Sequence, residues 1–174
     1  MRIIGGKFRS RVLAEFEGED VRPTADRVKE SLFNILSLKL YGARVLDLFA
    51  GSGALGLESL SRGAKEVCFN DCAKASLAIL KKNLTALKIT PNGEEAKLTN
   101  CDYLVCLEQA RGQFDLIFID PPYRFDFGER HLKKLRKEAY SRKTALLFTS
   151  VIESLRVKLQ DLKNMTKEST EKPI

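Results

Sequence analysis

The sequence predicts an α/β fold, in which a mostly parallel sheet carries helices on both faces. Short apolar runs alternate with amphipathic segments from residue 44 onward. A glycine-rich turn follows the first apolar run, and an acidic residue ends the second. Strands that alternate with helices in this way are joined by right-handed crossovers and pair in parallel, with the helices packed on the sheet.

The N-terminal elements follow from local start signals and hydrophobic spacing. Residues 1–23 lack helical periodicity, and their paired glycines between apolar pairs predict a short basic β-hairpin arm. Thr24 is the expected N-cap of a first helix, with Asp26 in its first turn. The spacing predicts that one face of this helix consists of Val28, Leu32, Ile35 and Leu36.

Beyond this helix the chain alternates regularly between strands and helices. The expected strands are 45–48, 66–69, 96–99, 114–119 and 145–148. The expected helices are 54–60, 74–88, 103–110 and 129–140. One apolar face of the helix at 74–88 is formed by Leu77, Leu80, Leu84 and Leu87. We expect the C-terminal strands to be shortened, because a polar, lysine-rich stretch follows residue 148.

Length and composition indicate a globular protein with one main domain. The 174 residues are 44% hydrophobic and 30% charged, which suits a single core. We expect an RNA-contacting arm at 1–23, the main domain at 24–162 and a flexible tail at 163–174. No apolar run approaches the ~20 residues that cross a bilayer, and no signal-peptide pattern begins the chain. We therefore expect a cytoplasmic protein.

Basic residues are concentrated in two parts of the chain. The formal net charge is +7, from 30 Lys and Arg against 23 Asp and Glu. One concentration runs from Arg124 to Lys143, and the other precedes every acidic residue and contains Arg2, Lys7, Arg9 and Arg11. A solvated basic surface is the common explanation, but this placement favours a nucleic-acid substrate. Four cysteines without C-x-x-C spacing and a single histidine predict no metal site.

The turn after the strand at 45–48 has the pattern of a nucleoside-binding loop. Gly51, Gly53 and Gly56 match G-x-G-x-x-G, and Asp71 ends the next strand about 20 residues later. Such glycines bring the backbone close to a ligand, and the carboxylate accepts hydrogen bonds from ribose hydroxyls. Asp47 would repel a pyrophosphate but attract an ammonium or sulfonium group. The pattern therefore favours S-adenosylmethionine over a nicotinamide dinucleotide.

Asp102 follows the strand at 96–99, and two explanations of it stay open. Its carboxylate could accept a hydrogen bond from the amino group of adenine. It could equally be the N-cap of the helix that begins at Tyr103. The two roles are compatible.

A second chemical motif, Asp120-Pro121-Pro122-Tyr123, follows the strand at 114–119. A carboxylate can accept a hydrogen bond from an exocyclic amine, and a tyrosine ring can stack on a base. Two prolines can direct the preceding carbonyls outward, because they lack N–H groups and have a fixed φ. The alternative is that the prolines end the strand and the aspartate caps the next turn. The motif predicts a clamp for a flat, amine-bearing ring.

Several segments resemble a known family. Asp47-Leu-Phe-Ala-Gly-Ser-Gly-Ala-Leu-Gly-Leu-Glu58 and Asp120-Pro-Pro-Tyr123 resemble class I S-adenosylmethionine-dependent methyltransferases of Rossmann-like fold that act on amino nitrogens. Three further segments are similar to bacterial guanine-N2 methyltransferases of small-subunit (16S) ribosomal RNA, of the RsmD type. They are Met1-Arg-Ile-Ile-Gly-Gly-Lys7, Arg22-Pro-Thr-Ala-Asp-Arg-Val-Lys-Glu30 and Leu32-Phe33-Asn34. The likeness covers residues 1–125.

The resemblance implies S-adenosylmethionine as cofactor and assigns roles to particular residues. The cofactor would lie against Asp47, Phe49, Gly51, Gly53, Asp71 and Asp102, with Arg22 and Thr24 at the same cleft. A helix start with a cap is the alternative explanation of Arg22-Pro23-Thr24. The target amine would lie at 120–123, and the RNA would contact Arg2, Lys7, Arg9, Arg11 and Arg124. The expected partner is ribosomal RNA or the assembling small subunit, bound by a monomer.

Other functions stay open at this point. An adenine-N6 DNA methyltransferase shares Asp-Pro-Pro-Tyr, but such enzymes normally need additional sequence for target recognition. A protein-amine methyltransferase would leave the basic arm without a purpose. A nicotinamide-dependent oxidoreductase fits the glycine pattern, although Asp47 and the amine clamp argue against it. A non-catalytic RNA-binding protein would account for the unusual C-terminal stretch.

Overall fold

The computed structural model describes residues 1–16, 23–110, 114–121 and 145–148. Its helices are α1 (Pro23–Ile35), α2 (Ser37–Leu40), α3 (Ala54–Ser61), α4 (Lys74–Ala86) and α5 (Tyr103–Gln109). Its strands are β1 (Arg44–Asp47), β2 (Glu66–Asn70), β3 (Ala96–Thr99), β4 (Leu116–Ile119) and β5 (Ala145–Phe148). The helix expected at 129–140 and the segment after residue 148 lie outside the described residues.

The five strands form one parallel sheet in the order β3-β2-β1-β4-β5. The chain runs outward from β1 through β2 to β3 and then returns to place β4 on the other side of β1. The order therefore reverses between β1 and β4, and ligands of open α/β sheets bind at such a switch point, beyond the carboxyl ends of the strands. The predicted α/β class is confirmed.

Alternating residues of the strands enter two separate cores. Val45 and Phe118 belong to the larger core, which also contains apolar residues of α1, α3 and α4. Leu46 and Ile117 belong to the second core, which contains residues of α5. Successive side chains of a strand point to opposite faces, so these two cores lie on opposite faces of the sheet. Helices therefore cover both faces, as the sequence predicts.

Helix α1 differs from its prediction at both ends. It begins at Pro23, so Thr24 lies in the first turn and is not the N-cap. Proline suits the first helical position, because the N–H that it lacks would have no helical partner there. Of the face predicted from the spacing, Leu32 and Leu36 are buried, but Ile35 is 76% exposed and does not share their environment. The ring of Phe33 faces the sheet instead, with its centroid 5.7 Å from that of Phe118.

The N-terminal arm pairs with itself and also enters the larger core. Arg2 and Val12 form an antiparallel bridge, as expected of a hairpin. The backbone N–H of Ile3 donates to the Arg11 carbonyl over 2.9 Å. Ile3 and Leu13 are both buried against the main body. The described part of the arm therefore has a fixed position on the domain, and its exposed polar residues are Arg2, Lys7, Arg9, Ser10 and Arg11.

The cysteines of the described residues are free thiols. Burial is the main cause that raises the pKa of Cys68 to about 12 and that of Cys106 to about 11. These two thiols are therefore un-ionised at neutral pH. No group of three potential metal ligands occurs in the described ranges.

None of the helices in the described part of the chain has both the length and the apolar character needed to span a membrane.

Candidate active site

Three predicted site residues lie at the carboxyl edge of the parallel sheet. In the strand register Asp47 pairs with Phe69 on one side and with Phe118 on the other. Asp71 and Asp120 each follow two residues beyond those partners. The topology therefore places one carboxylate on either side of Asp47.

Asp47 lies beneath the glycine loop and is only 1% exposed. Its Oδ2 accepts a hydrogen bond from the backbone N–H of Gly56, over 3.0 Å. Burial is the main cause that raises its pKa to about 7; the Gly56 bond opposes this shift, and the charges of Asp120 and Asp71 add to it. A nearby cation would favour the ionised carboxylate. Asp47 can thus act on a ligand through its charge.

Asp71 is fixed by two backbone hydrogen bonds at the end of β2. Its Oδ2 accepts from the N–H of Gly51 over 2.9 Å, and its Oδ1 accepts from the N–H of Ala73 over 2.8 Å. A carboxylate offers about four lone-pair sites, so two sites stay available for hydroxyl donors. Asp71 is half-buried and is therefore a rigid acceptor within reach of a ligand.

The three glycines of the loop have different structural roles. Gly51 and Gly53 have φ of 54° and 87°, in the left-handed region that favours glycine. A Cβ on Gly53 would lie 2.4 Å from Leu80 Cδ1, and one on Gly56 would lie 2.2 Å from Phe69 Cε1. A Cβ on Gly51 would meet nothing within 4 Å. Gly53 and Gly56 thus serve close packing, whereas Gly51 borders open space next to Asp71.

These roles predict that alanine at Gly56 mainly lowers stability, whereas alanine at Gly51 mainly lowers ligand affinity. Gly56→Ala should lower the free energy of unfolding by about 1–3 kcal/mol, because the methyl group overpacks a buried contact with Phe69. Gly51→Ala adds about 1–2 kcal/mol of backbone strain, because φ at this position is 54°. Its methyl group would project into the open space next to Asp71, where a ligand would lie. We therefore expect this variant to lose more cofactor affinity than Gly56→Ala. Urea unfolding and titration calorimetry measure the two effects. Wild-type stability of Gly56→Ala would contradict the assigned role.

Asp102 and Phe49 meet at the start of α5. Asp102 is the N-cap of α5, since its Oδ1 accepts from the N–H of Leu104 over 2.8 Å. The residue is exposed, so capping leaves room for a second hydrogen bond. The ring of Phe49 packs against that of Tyr103, with centroids 5.4 Å apart. A flat ligand group at this point would meet an aromatic side chain and a carboxylate.

Asn70 supports the site, although it was not among the site residues predicted from the sequence. Its amide is 1% exposed and lies at the end of β2. The Nδ2 donates to the carbonyls of Leu48 and Cys101, over 3.2 and 3.1 Å. The Oδ1 accepts from Thr99 Oγ1 over 2.8 Å. Asn70 thus ties the ends of β1, β2 and β3 together, and the only sequence signal was a polar residue at the end of an apolar strand.

Two residues of the predicted amine clamp are described. Asp120 is exposed and Pro121 half-buried, directly after β4, whose residues are all buried. The charge of Asp120 contributes to the raised pKa of Asp47, so these carboxylates lie near one another. Pro122, Tyr123, Arg124 and Arg22 lie outside the described residues, and Thr24 is described only as part of α1.

Glu58 is a fully buried carboxylate on α3 that holds the arm. Its Oε2 accepts from the backbone N–H of Ile4 over 2.7 Å, and its Oε1 accepts from that of Gly5 over 2.8 Å. Arg62 Nε lies 2.8 Å from Oε1, and Lys29 Nζ lies 3.5 Å from Oε2. Burial lowers the pKa of Lys29, and the charge of Glu58 opposes that shift. The sequence contained Glu58 in a motif but did not indicate this role.

Two further polar residues connect the arm to the body. Ser61 Oγ accepts from the backbone N–H of Phe8 over 2.9 Å. Asn83 Oδ1 accepts from the N–H of Ala14 over 2.7 Å, and its Nδ2 donates to the Ala14 carbonyl over 3.0 Å. The same Nδ2 donates to the carbonyl of Ser52 in the glycine loop, over 2.9 Å. Asn83 therefore contacts both the arm and the proposed cofactor loop.

The cations of the arm fall into two classes. Two of them pair with acids of the body: Arg2 Nε lies 3.0 Å from Asp26 Oδ2, and Lys7 Nζ lies 2.8 Å from Glu95 Oε1. Arg9 and Arg11 are exposed and form no salt bridge with any described residue. Arg9 and Arg11 are thus the arm cations without an acidic partner among the described residues.

Known proteins resemble this chain over most of its length. The family model described as Conserved hypothetical protein 95 matches residues 1–172. The chain is 42% identical over 150 residues to ribosomal RNA small subunit methyltransferase D of Haemophilus influenzae, covering 85% of this chain and 77% of the relative. The Escherichia coli (strain K12) protein of the same name is 38% identical over 148 residues, with 85% and 73% covered.

A solved structure shares the fold of the described domain. It is the Thermus thermophilus 16S rRNA N2 G1207 methyltransferase (RsmC) in complex with AdoMet and guanosine. The TM-score is 0.54 and the sequence identity 28%, over 76% of this chain and 35% of that chain. The similarity therefore concerns one part of a longer protein.

Proposed function

This chain belongs to the ribosomal RNA small subunit methyltransferase D family, and we propose that it methylates the exocyclic N2 amine of a guanine in small-subunit (16S) ribosomal RNA. S-adenosylmethionine is the proposed methyl donor. One observation carries this proposal. Asp120 and Pro121 directly follow β4, which pairs with β1, and Asp47 and the open side of Gly51 lie at the same end of β1. A cationic donor and an amine acceptor would thus meet at one edge of the sheet.

The residues at this edge fit a cationic nucleoside. Asp47, Asp71 and Asp102 take part in none of the salt bridges among the described residues. We infer that Asp71 accepts from the ribose hydroxyls and Asp102 from the adenine amino group, beside the ring of Phe49. The charge of Asp47 would stabilise the positive end of the cofactor. When bound, S-adenosylmethionine would supply a methyl group carried on a positively charged sulfonium sulfur. The leaving group would be the neutral thioether that remains.

Asp120 and Pro121 would prepare the amine for attack. The lone pair of the guanine N2 amine delocalises into the ring, so the free amine is a poor nucleophile. Asp120 and the Pro121 carbonyl would accept hydrogen bonds from the two N–H groups of this amine. These bonds would localise the lone pair on N2 and orient it toward the methyl group. Positive charge would develop on N2 as it takes up the methyl group, and the Asp120 carboxylate would stabilise that charge. The amine proton then leaves to Asp120 or to water.

The RNA contacts would come from the arm and from the segment after the clamp. Arg2, Lys7, Arg9 and Arg11 would bind phosphates; Arg2 and Lys7 also pair with acids of the domain through partly exposed side chains. Unstacking of the target guanine is required before it reaches the cleft, and Tyr123 would stack on the displaced base. A cytoplasmic monomer is part of this proposal.

The relatives favour this function over the alternatives. Both curated relatives are named as ribosomal RNA methyltransferases. The solved structure described above is named as an N2 guanine methyltransferase. Neither the adenine-N6 DNA methyltransferase nor the nicotinamide-dependent oxidoreductase is favoured by these comparisons.

A transfer assay tests the proposed function. The protein is incubated with labelled S-adenosylmethionine and with small ribosomal subunits from cells that lack it, naked small-subunit RNA, large-subunit RNA or duplex DNA. Digestion to nucleosides and mass spectrometry then identify the product. We expect N2-methylguanosine from small-subunit RNA in at least one of its two forms. Labelled N6-methyladenine in the DNA duplex, or no labelled product with any of the four substrates, would overturn the proposal.

Cofactor affinity should rise with pH through about 7, the raised pKa of Asp47. Below that pKa the Asp47 carboxyl is neutral and attracts the donor weakly, and above it the carboxylate is ionised. The pKa of Asp47 is higher in the folded protein than in the unfolded chain, so between about pH 4 and pH 7 the folded protein keeps a proton that the unfolded chain has lost. The contribution of Asp47 to the free energy of unfolding therefore falls as pH rises through this range. Calorimetry in buffers of different ionisation enthalpy should detect proton release on cofactor binding near pH 6.5.

Asp47→Asn is the control for this pH dependence. The variant keeps an oxygen that can accept the Gly56 N–H and removes the titrating carboxyl. We expect weaker cofactor binding and no proton release from this position. Identical pH profiles for wild type and variant would show that the charge of Asp47 has no part in binding.

A further inference from the structure

Helix α4 has a basic outer surface without acidic residues. Its sequence from Lys74 to Ala86 contains three lysines and neither aspartate nor glutamate. Lys74, Lys81 and Lys82 are exposed, and they form no salt bridge within the described ranges. We define these three residues as the α4 lysine face.

Helix geometry orients these lysines away from the core. Lys74 and Lys81 are seven residues apart, which places them on the same side of the helix and about 10 Å apart along its axis. The buried residues of the helix are Ser76, Leu77, Leu80, Asn83 and Leu84. Lys82 lies about 100° around the helix from Lys81, toward the side of Asn83. The three charges therefore spread from the outer surface toward the arm.

Asn83 joins the α4 lysine face to the arm. Its side-chain amide makes two hydrogen bonds to the backbone of Ala14, as described above. Arg11 lies three residues before Ala14, and Lys82 directly precedes Asn83. The arm segment that contains Arg11 and the turn of α4 that contains Lys82 are thus connected through the Asn83–Ala14 contact.

The same helix borders the proposed active site. Asn83 also donates to the carbonyl of Ser52 in the glycine loop. Lys74 begins α4 and follows three residues after Asp71, at the carboxyl edge of the sheet. The α4 lysine face therefore extends from the arm toward the edge where the reaction is proposed.

We propose that the α4 lysine face is a second RNA-binding surface, which holds phosphates of the strand that flanks the target guanine. This inference rests on the proposed function and adds α4 to the RNA-contacting part of the protein. Exposed helix faces commonly contain acids that pair with lysines at i,i+4. No such acid is present in α4, so its three lysines have no acidic partner within the helix and form a purely basic surface that favours a polyanion. The phosphates of an RNA backbone would supply the negative charges that pair with these lysines.

The test compares two triple variants with the same change in net charge. One is Lys74→Gln, Lys81→Gln and Lys82→Gln on α4. The control removes three other exposed lysines that lack described salt bridges: Lys39→Gln, Lys65→Gln and Lys97→Gln. Binding to small-subunit ribosomal RNA is measured over a range of salt concentrations. Each lost phosphate contact should reduce the slope of log K against log[salt] by about 0.7–0.9, or about 2–3 for the triple variant.

Methyl transfer provides a second readout. The α4 variant should have a higher KM for RNA, with kcat at saturating RNA and S-adenosylmethionine affinity unchanged. Adding Arg9→Gln and Arg11→Gln should lower the salt slope further, because separate contacts contribute additively. Each single lysine variant is measured as well, so the test does not depend on the folding of the triple variant.

The outcomes separate this inference from the function on which it rests. An active wild-type enzyme whose α4 variants keep the wild-type salt slope and KM would overturn the α4 surface and leave the function intact. Equal losses in the α4 and control variants would also overturn it, since the effect would then be one of net charge. A wild-type protein that methylates no ribosomal RNA would instead remove the proposed function, and with it this inference.

Discussion

Replacing Asp120 with alanine should lower kcat by about 10²-fold or more, the range seen when one preorganised electrostatic contact to a transition state is lost. The Asp120 carboxylate would accept a hydrogen bond from the target amine and would stabilise the positive charge that develops on the amine nitrogen. The side chain is exposed at the end of β4, so its removal creates no cavity in the core. Steady-state kinetics with small-subunit RNA, together with calorimetry of S-adenosylmethionine binding, measures the effect.

Cofactor binding separates Asp120 from its neighbours. Asp120→Ala should bind S-adenosylmethionine close to wild-type affinity, whereas Asp71→Asn should lose affinity, because Asp71 is the proposed ribose acceptor. Glu94→Ala removes an exposed carboxylate that forms no described salt bridge, and it should leave turnover unchanged. Loss of Asp120 also removes a charge that raises the pKa of Asp47, so we expect no loss of stability. Normal turnover of Asp120→Ala would exclude the residue from the reaction.

Replacing Glu58 with alanine should lower the free energy of unfolding by about 3–5 kcal/mol, the usual effect of removing one partner of a buried ion pair. The variant would leave Lys29, which is 4% exposed, without its anion. It would also remove the acceptor of the Ile4 and Gly5 N–H groups. A domain is typically stable by only about 5–15 kcal/mol, so the arm and the core should both be affected. Urea unfolding gives the loss directly.

A matched variant shows whether burial is the cause. Glu30→Ala also removes one glutamate from a helix, but Glu30 is exposed and takes part in no described salt bridge. It should change stability by less than about 0.5 kcal/mol, as is usual for surface positions. Hydrogen exchange at Ile4 and Gly5 should become faster in Glu58→Ala than in Glu30→Ala. Equal stabilities of the two variants would contradict the anchoring role.

Local patterns were sufficient for most of the secondary structure. The apolar face of α4 was predicted from the spacing of its leucines, and Leu77, Leu80, Leu84 and Leu87 are all buried. The strand at 96–99 has the predicted bounds. Helical and strand periods depend on neighbours within a few residues, so a single sequence contains this information. The prediction failed at Ile35, because the choice between Ile35 and Phe33 depends on a contact with Phe118 from a distant strand.

The sequence by itself determined the order of strands and helices, the glycine loop and the carboxylates that follow successive strands. It also determined that Asp71 and Asp120 end apolar runs, so that a parallel sheet would bring them to one edge. Only the tertiary structure decided how the arm is held, through Glu58 and Asn83, whose hydrogen bonds span 54 and 69 residues of chain. Such contacts leave no periodic signal, because the partner of a buried polar group is chosen by packing in three dimensions and not by its distance along the chain.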